Sequence, residues 1–162
     1  MPRIRFHFRP LAFACALCAV GVCLQVASNS AAAASGNAWI NNGATACEKY
    51  LTPDVQAAIL LGSPQHPQQD DAHSCHAGTI YITLKVADID AFRQELPLIY
   101  GAHPLSGVGD DAYWNDAGAV SAVKGHGRGC DISNIAPGST RLTGEALAQK
   151  LGAICNKLFA LP

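Results

Sequence analysis

Hydrophobic and polar residues alternate strictly over residues 79–86. The apolar members are Ile80, Ile82, Leu84 and Val86, and the residues between them are Thr79, Tyr81, Thr83 and Lys85. A period of two places one set on each side of a β-strand, so one face is buried and the other is wetter. Such half-buried strands are typical of antiparallel sheets. The pattern predicts that the four aliphatic side chains face the helices of the domain.

Three other segments carry apolar residues at helical spacing. They contain Leu51, Val55 and Ile59; Ile89, Phe92 and Leu96; and Leu147, Leu151, Ile154, Cys155 and Leu158. Thr52, Asp88 and Thr143 are the predicted N-cap residues of the three helices, because a short polar side chain can bond the first free amides of a helix. The sequence therefore predicts one helix near each end of the domain and a short helix between them.

Shorter apolar stretches predict three further strands. They lie at residues 112–114, 118–124 and 129–135, and the loops at 63–74 and 101–111 separate the elements. Glycine on both sides of His126 favours a hairpin between the last two strands. This order predicts an α+β fold, a small antiparallel sheet with helices packed on one face. Residues 47–162 are predicted to form one domain, and residues 35–46 a lead-in.

The first 34 residues are typical of a secretory signal peptide. Arg3, Arg5 and Arg9 precede an uncharged apolar stretch at 11–27, and small residues lead to Ala34. The apolar stretch only reaches the low end of the roughly 17–25 residues that span a membrane, which favours cleavage over a retained anchor. We therefore expect an exported protein, periplasmic or secreted, with no stable membrane span after cleavage.

Two features of the exported chain reduce the number of partner classes that it could bind. Cys23 follows Val22, where a lipid-attachment signal usually has Gly or Ala, so lipid anchoring is not expected. Loss of the three arginines leaves 8 basic and 12 acidic side chains, a net charge of −4. A mildly acidic protein is not attracted by nucleic acid or by anionic lipid. The expected partner is an extracytoplasmic protein or a small ligand.

Four of the seven cysteines remain after cleavage: Cys47, Cys75, Cys130 and Cys155. An even number in an exported domain indicates two disulfides, with three possible connectivities. A zinc site is disfavoured, because the sequence contains no Cys-x-x-Cys pair. Cys155 lies on the apolar stripe of the last helix and Cys130 shares strand parity with Ile132, which favours their pairing. Cys75 has the opposite parity from Ile82 if that strand is regular, and is expected to point away from the helices toward Cys47.

Two stretches resemble a known family. They are residues 46–53, Ala-Cys-Glu-Lys-Tyr-Leu-Thr-Pro, and residues 107–114, Gly-Val-Gly-Asp-Asp-Ala-Tyr-Trp, which precede a hairpin and a final helix. Cys75 just before a strand fits the same layout. Together they resemble the domain-of-unknown-function 3558 family of small exported bacterial proteins, which are often lipid-anchored. The resemblance implies an exported α+β domain with cysteines at positions 47 and 75, and it implies no catalytic residue.

The loop before the first predicted strand holds the candidates for a metal site. They are His66, Asp70, Asp71, His73 and His76. Imidazole and carboxylate suit zinc, copper or nickel, and His73 and His76 are close enough to converge in a turn. No HExxH or comparable pattern supports the site. A solvated loop is therefore the favoured interpretation, and no cofactor is expected.

Other candidate residues follow the second loop. Asp110 and Asp111 could serve acid–base chemistry or hold a cation, although Asp after Gly also starts turns. Tyr113 and Trp114 could form a recognition surface, although such a pair more often lies in the core. No Gly-x-Ser-x-Gly nucleophile pattern is present. We expect a non-enzymatic binding, inhibitor, immunity or envelope-accessory protein; the alternative is a metal-dependent or hydrolytic enzyme using the histidine loop or the Asp110–Asp111 pair.

Overall fold

The computed structural model of the protein describes residues 38–98 and 101–162, so the predicted signal segment 1–34 lies outside the described residues. The helices are α1 (Gly43–Tyr50), α2 (Pro53–Ile59), α3 (Ile89–Glu95) and α4 (Gly144–Phe159), with a 3-10 turn at Leu96–Leu98. The strands are β1 (Gln68–Gln69), β2 (Ser74–Ala77), β3 (Ile80–Lys85), β4 (Ala102–Pro104), β5 (Asp111–Asn115), β6 (Ala119–Lys124) and β7 (Arg128–Asn134). The predicted α+β class is confirmed. Across the described residues, none of the helices combines the length and apolar character that crossing a membrane requires.

The described strands form one antiparallel sheet in the order β1-β2-β3-β7-β6-β5-β4. One row of directly opposed residues is Ile82, Ile132, Val120 and Trp114, and the next row is Thr83, Asp131, Ser121 and Tyr113. Opposed residues share a face and successive residues alternate between faces. We call the side of the first row the inner face and the side of the second row the outer face.

Helices α1, α2 and α4 cover the inner face. Ile80, Ile82 and Leu84 of β3 are buried there, as the alternation predicts. Val86 was predicted to join them, and this prediction is wrong: its side chain is 51% exposed. The reason is that β3 ends at Lys85, so the alternation of faces does not continue to the next residues.

Helix α3 lies on the outer face, which the prediction of helices on one face did not include. Its Phe92 and the following Leu96 pack with Val123. Phe92 also meets the ring of Tyr113 edge-on, with 5.7 Å between centroids. Val123 and Tyr113 belong to β6 and β5 but have the parity of the outer face, so α3 covers one end of that face only.

Asp88 caps α3 as predicted. Its carboxylate accepts bonds from the amides of Asp90 and Ala91, at 2.9 and 3.0 Å. The bond from the Ala91 amide is the main reason why the pKa of Asp88 lies below its ordinary value. Thr52 and Thr143 also stand at N-cap positions, but their side chains make no capping bond.

Both predicted disulfides are present, Cys47–Cys75 and Cys130–Cys155, with Cα atoms 5.9 and 5.8 Å apart. The expected orientation of Cys75 is nevertheless wrong. A turn separates β2 from β3, so the parity of one strand does not extend to the other. Cys75 is directly opposite Ile82 and therefore points to the inner face, where α1 presents Cys47.

The folded part of the chain begins earlier than the predicted boundary at Cys47. Trp39, predicted to lie in a lead-in, is fully buried. Its indole nitrogen donates to the carbonyl of Leu158 at 3.2 Å, and its ring stacks on Phe159 at 5.7 Å. The sequence pattern missed this contact because a lone tryptophan among small polar residues has no periodicity. Trp39 thus attaches the described part of the lead-in, from residue 38 onward, to the same core.

Gln56 is a buried polar residue that no pattern predicted. Its side-chain amide is 0% exposed on α2. The amide nitrogen donates to the carbonyls of Leu51 and Gln65 at 2.7 and 2.9 Å, and its oxygen accepts from the Gln65 amide at 2.7 Å. Both amide hydrogens and one lone pair of the Gln56 side chain bond to backbone groups, so this residue fastens the loop after α2 to the helix.

Candidate functional site

The candidate metal ligands of the histidine loop do not converge within residues 38–98 and 101–162. His76 contacts Asp70, with Nδ1 2.8 Å from the carboxylate oxygen. Asp71 instead accepts the His73 amide at 2.6 Å, and this bond is the main cause that lowers the pKa of Asp71. His66 lies in a separate groove beside Glu48. The described residues contain no group of three or more His, Cys, Asp or Glu that could hold a metal ion.

Asp110 and Asp111 do not act as a pair of carboxylates. Asp110 accepts the amide of Gly125 at 2.7 Å and fixes the turn after β6. Asp111 accepts from the Arg93 guanidinium at 2.8 Å. This bond raises the pKa of Arg93 above its ordinary value. Each carboxylate therefore has its own structural partner, one in a turn and one on α3.

Tyr113 and Trp114 face opposite sides of the sheet. Trp114 is half-buried toward the inner face and stacks on His103, with 4.5 Å between ring centroids. Tyr113 is half-buried on the outer face against Phe92. The two rings therefore cannot form one recognition surface, and Tyr113 alone faces the region described next.

A pocket of about 200 Å³ lies on the outer face beside the end of α3. We call it the outer-face pocket. Its apolar lining comes from Leu96, Ala102, Tyr113 and Ala119. Leu96 is buried in the small cluster that attaches α3 to the sheet, so this part of the lining is held by packing. The pocket is thus a product of placing α3 on the outer face rather than with the other helices.

The polar part of the outer-face pocket comes from the middle of the sheet. Asn115, Ser121, Asp131 and Ser133 line it from β5, β6 and β7. Ser121 donates to one oxygen of Asp131, and Lys85 contacts the other oxygen at 2.6 Å. These strands are paired on both sides, so the polar groups lie on the most rigid part of the sheet.

Sequence reasoning missed this polar row, although a signal for it exists. Ser121 and Asp131 stand between apolar residues of β6 and β7, and Ser133 follows Ile132 two positions after Asp131, so a period-two pattern assigns Asp131 and Ser133 to one face of β7. The short strands made the pattern hard to recognise. What sequence cannot predict is that α3 crosses to the same face and makes a wall.

A second groove, of about 320 Å³, lies between the α1–α2 bend and the loop after α2. Glu48 and His66 line it together with Pro53, Pro64 and Pro67. Both ionisable side chains are exposed, and the lining comes from loop and helix ends rather than from paired strands. We favour the outer-face pocket as the candidate site, because apolar and polar groups converge there on a rigid support.

Comparisons with protein-family models, with curated proteins and with solved structures find no match for this chain. The resemblance to the domain-of-unknown-function 3558 family therefore stays a hypothesis that rests on the two short stretches and Cys75.

Proposed function

We propose that this protein is an exported, non-enzymatic binding domain that holds a small ligand in the outer-face pocket. The observation that carries the proposal is the difference between the two faces of the sheet. Helices α1, α2 and α4 cover the inner face, whereas α3 covers one end of the outer face and leaves a pocket beside it. Concave sites with an apolar lining and a few converging polar groups are the usual form of small-molecule sites.

Export is supported by three features. The first 34 residues have the three parts of a secretory signal, and the domain carries two disulfides. Disulfides persist in oxidising compartments and are rare in the cytosol. The resemblance to a family of small exported proteins agrees with both. The net charge of −4 after cleavage also favours a small ligand over nucleic acid.

The enzyme alternative has less support than the binding function. Its two proposed centres were the histidine loop and the Asp110–Asp111 pair, and neither brings its groups together around one point. In the outer-face pocket, Ser121 donates a hydrogen bond to the carboxylate of Asp131, and the residues that line the pocket include no histidine to act as the base of a Ser-His-Asp arrangement. The contact between Ser121 and Asp131 fixes both side chains in the outer-face pocket, where they can form hydrogen bonds to a ligand. This supports a binding function.

The export part is tested by N-terminal sequencing of protein recovered from the producing cells. Cleavage after the alanine run should give a mature chain that begins near Ser35 in the periplasm or medium. Recovery of intact Met1 in the membrane fraction would contradict cleavage and export in this form.

The binding part is tested by amide chemical shifts of the folded domain with a panel of single-ring fragments. The panel contains neutral sugars, aromatic rings, cyclic amines and cyclic carboxylates. Fragments that bind should shift the amides of Asn115, Ala119 and Ser133. Ala119→Leu should abolish these shifts by filling the pocket, and Thr83→Leu, on the same face but outside the pocket, should retain them. The absence of any shift at the pocket would refute the proposed site.

A further inference from the structure

We infer that the ligand of the outer-face pocket is a neutral pyranose sugar, and this inference rests on the function proposed above. A pyranose is a compact ring that presents C–H groups on its faces and hydroxyl groups around its edge. Its binding site must therefore offer an apolar surface, hydrogen-bonding groups beside that surface, and no unpaired charge. The outer-face pocket meets each of these requirements through different residues.

The size of the pocket matches one ring. Its volume of about 200 Å³ is below the roughly 300–1,000 Å³ of sites that enclose drug-sized molecules. A long acyl chain or a peptide would project far beyond the lining, whereas a single six-membered ring fits within it. The pocket is also open on one side, so a ring that continues into a longer glycan can enter by its end.

Apolar and polar residues alternate in the lining: Ala102, Asn115, Ala119 and Ser133 are opposed along one row, and Tyr113, Ser121 and Asp131 along the next. Leu96, Ala102 and Tyr113 supply the apolar part, and the Tyr113 ring is fixed edge-on by Phe92. An aromatic ring held in this way is a suitable surface for the C–H face of a sugar, since it combines apolar area with low conformational freedom. These apolar residues alone could bind any apolar ring, so selectivity for a sugar depends on the polar residues of the pocket.

The polar part offers both acceptors and donors. The carboxylate of Asp131 accepts one bond from Ser121 and one contact from Lys85, and each oxygen keeps a further lone pair. Ser133 is half-buried and lines the same pocket, and its hydroxyl group can both donate and accept a hydrogen bond. Hydroxyl groups of a ligand can donate hydrogen bonds to the Asp131 carboxylate, and they can donate to or accept from the Ser133 hydroxyl. A purely apolar ligand that displaced water would make no bond to the free lone pairs of Asp131 or to the Ser133 hydroxyl.

The charges around the pocket are paired. Asp131 contacts Lys85 at 2.6 Å, and Asp111 contacts Arg93 at 2.8 Å on the neighbouring α3. An anionic ligand would meet the carboxylate of Asp131 and a cationic ligand the ammonium group of Lys85, whereas a neutral ligand can donate to the free lone pairs of Asp131 without bringing a like charge close to either group. Bonds to a charged acceptor are stronger than bonds between neutral groups, so Asp131 is the expected anchor.

The test measures the affinity of the folded domain for glucose, galactose, mannose and N-acetylglucosamine, each as the free sugar and as the methyl pyranoside. Cyclohexylacetate and cyclohexylamine are the charged ring controls, and benzyl alcohol is the apolar control. At least one pyranose should bind more tightly than every control and should shift the amides of Ser121 and Ser133. Binding of the methyl pyranoside indicates a sugar at the end of a glycan, whereas loss on methylation indicates a free monosaccharide.

Two variants and one matched control separate the roles of the residues. Ser133→Ala should weaken pyranose binding by about 3- to 10-fold, the effect of one hydrogen bond. Asp131→Asn should weaken it by about 10-fold or more, since a charge-assisted bond is lost. Thr83→Ala, on the outer face beside Asp131 but outside the pocket, should leave it unchanged.

Two results would overturn the sugar inference, and a third would overturn the proposed function as well. Binding of a charged or apolar ring at the pocket, with no pyranose bound, would overturn the sugar inference and leave the proposed binding site intact. Equal affinity of Ser133→Ala, Asp131→Asn and the unmodified domain for a pyranose would also overturn it, because the polar groups would then not select the ligand. If none of the probes binds at the pocket, the proposed function fails together with the inference.

Discussion

The buried amide of Gln56 allows a sharp test of how the loop after α2 is held. We expect Gln56→Met to destabilise the domain, because methionine has a similar length and no hydrogen-bonding amide. The Leu51 carbonyl is in a fully buried residue, and leaving such a group unpaired costs about 1–3 kcal/mol. The two bonds to Gln65 are nearer to solvent and contribute about 0.5–1.5 kcal/mol each. The expected loss is therefore about 2–6 kcal/mol.

The assay is urea unfolding at neutral pH with the disulfides intact, combined with native-state hydrogen exchange. The dependence of the unfolding free energy on urea should be unchanged if both proteins unfold in one step. The Gln65 amide should exchange faster in Gln56→Met, since it loses its acceptor. The matched control is Gln65→Ala, which removes a surface bond to the Ser63 carbonyl but keeps the backbone groups. This control should change the unfolding free energy by less than about 0.5 kcal/mol.

A second variant tests the direction of the bonds. In Gln56→Glu, an ionised carboxylate would face the Leu51 and Gln65 carbonyls, which accept bonds and cannot donate. Burial and these oxygens would raise the pKa of the new carboxyl group, so its destabilising effect should diminish as pH falls and the group becomes protonated. A loss below about 1 kcal/mol for Gln56→Met, or a pH-independent effect of Gln56→Glu, would refute the reasoning.

Three further predictions concern the core, a helix cap and the cross-links. Ile82→Ala should cost about 2–5 kcal/mol in urea unfolding and Thr83→Ala less than about 0.5 kcal/mol, and equal losses would mean that the faces of β3 are misassigned. Asp88→Asn should reduce the loss of stability on acidification; because the pKa of Asp88 is lowered, the stabilisation by its ionised form is complete above the ordinary pKa of an aspartate and is lost as pH falls through the lowered pKa, which urea unfolding at a series of acidic pH values measures. Non-reducing peptide mapping should recover Cys130 linked to Cys155, and replacing both by serine should cost about 3–4 kcal/mol; a peptide that joins either cysteine to another partner would contradict this pairing.

The fold could be predicted from sequence where one pattern dominates a segment. The alternation over β3 gave the correct buried face for Ile80, Ile82 and Leu84. The end of the strand was less predictable, since Val86 continues the pattern although the pairing with β7 stops at Lys85. Periodicity reports which residues are apolar, whereas the last hydrogen-bonded pair depends on the partner strand.

The predicted pairing of both disulfides was correct. The strand parity used to predict it was right for Cys130–Cys155 and wrong for Cys47–Cys75. Cys130 and Cys155 meet because strand parity and helix stripe both point to the inner face. Cys75 meets Cys47 on that same face, not on the opposite one, because β2 folds back on β3 through a turn. A one-residue difference in where a strand is interrupted reverses the face of every residue before it.

The candidate site was beyond prediction because it depends on the packing of distant segments. The residues singled out for chemistry were clusters along the chain, such as Asp110 and Asp111, and the fold assigns such neighbours to separate partners. The outer-face pocket instead joins Leu96 from the end of α3 with Asp131 from β7 and Tyr113 from β5. No local pattern relates these three residues.

The position of the disulfides bears on why the outer face can remain partly uncovered. A sheet covered on one face buries less apolar area than one covered on both, and the net stability of a domain is only about 5–15 kcal/mol. Both cross-links lie on the inner face, where Cys47–Cys75 joins α1 to β2 and Cys130–Cys155 joins α4 to β7. Each closes a loop of 28 or 25 residues in sequence separation, which in the chain-entropy model stabilises the fold by about 3–4 kcal/mol. The cross-links therefore provide stability that does not depend on the outer face, so polar residues such as Asp131 and Ser133 can occupy positions where a second core would need apolar ones.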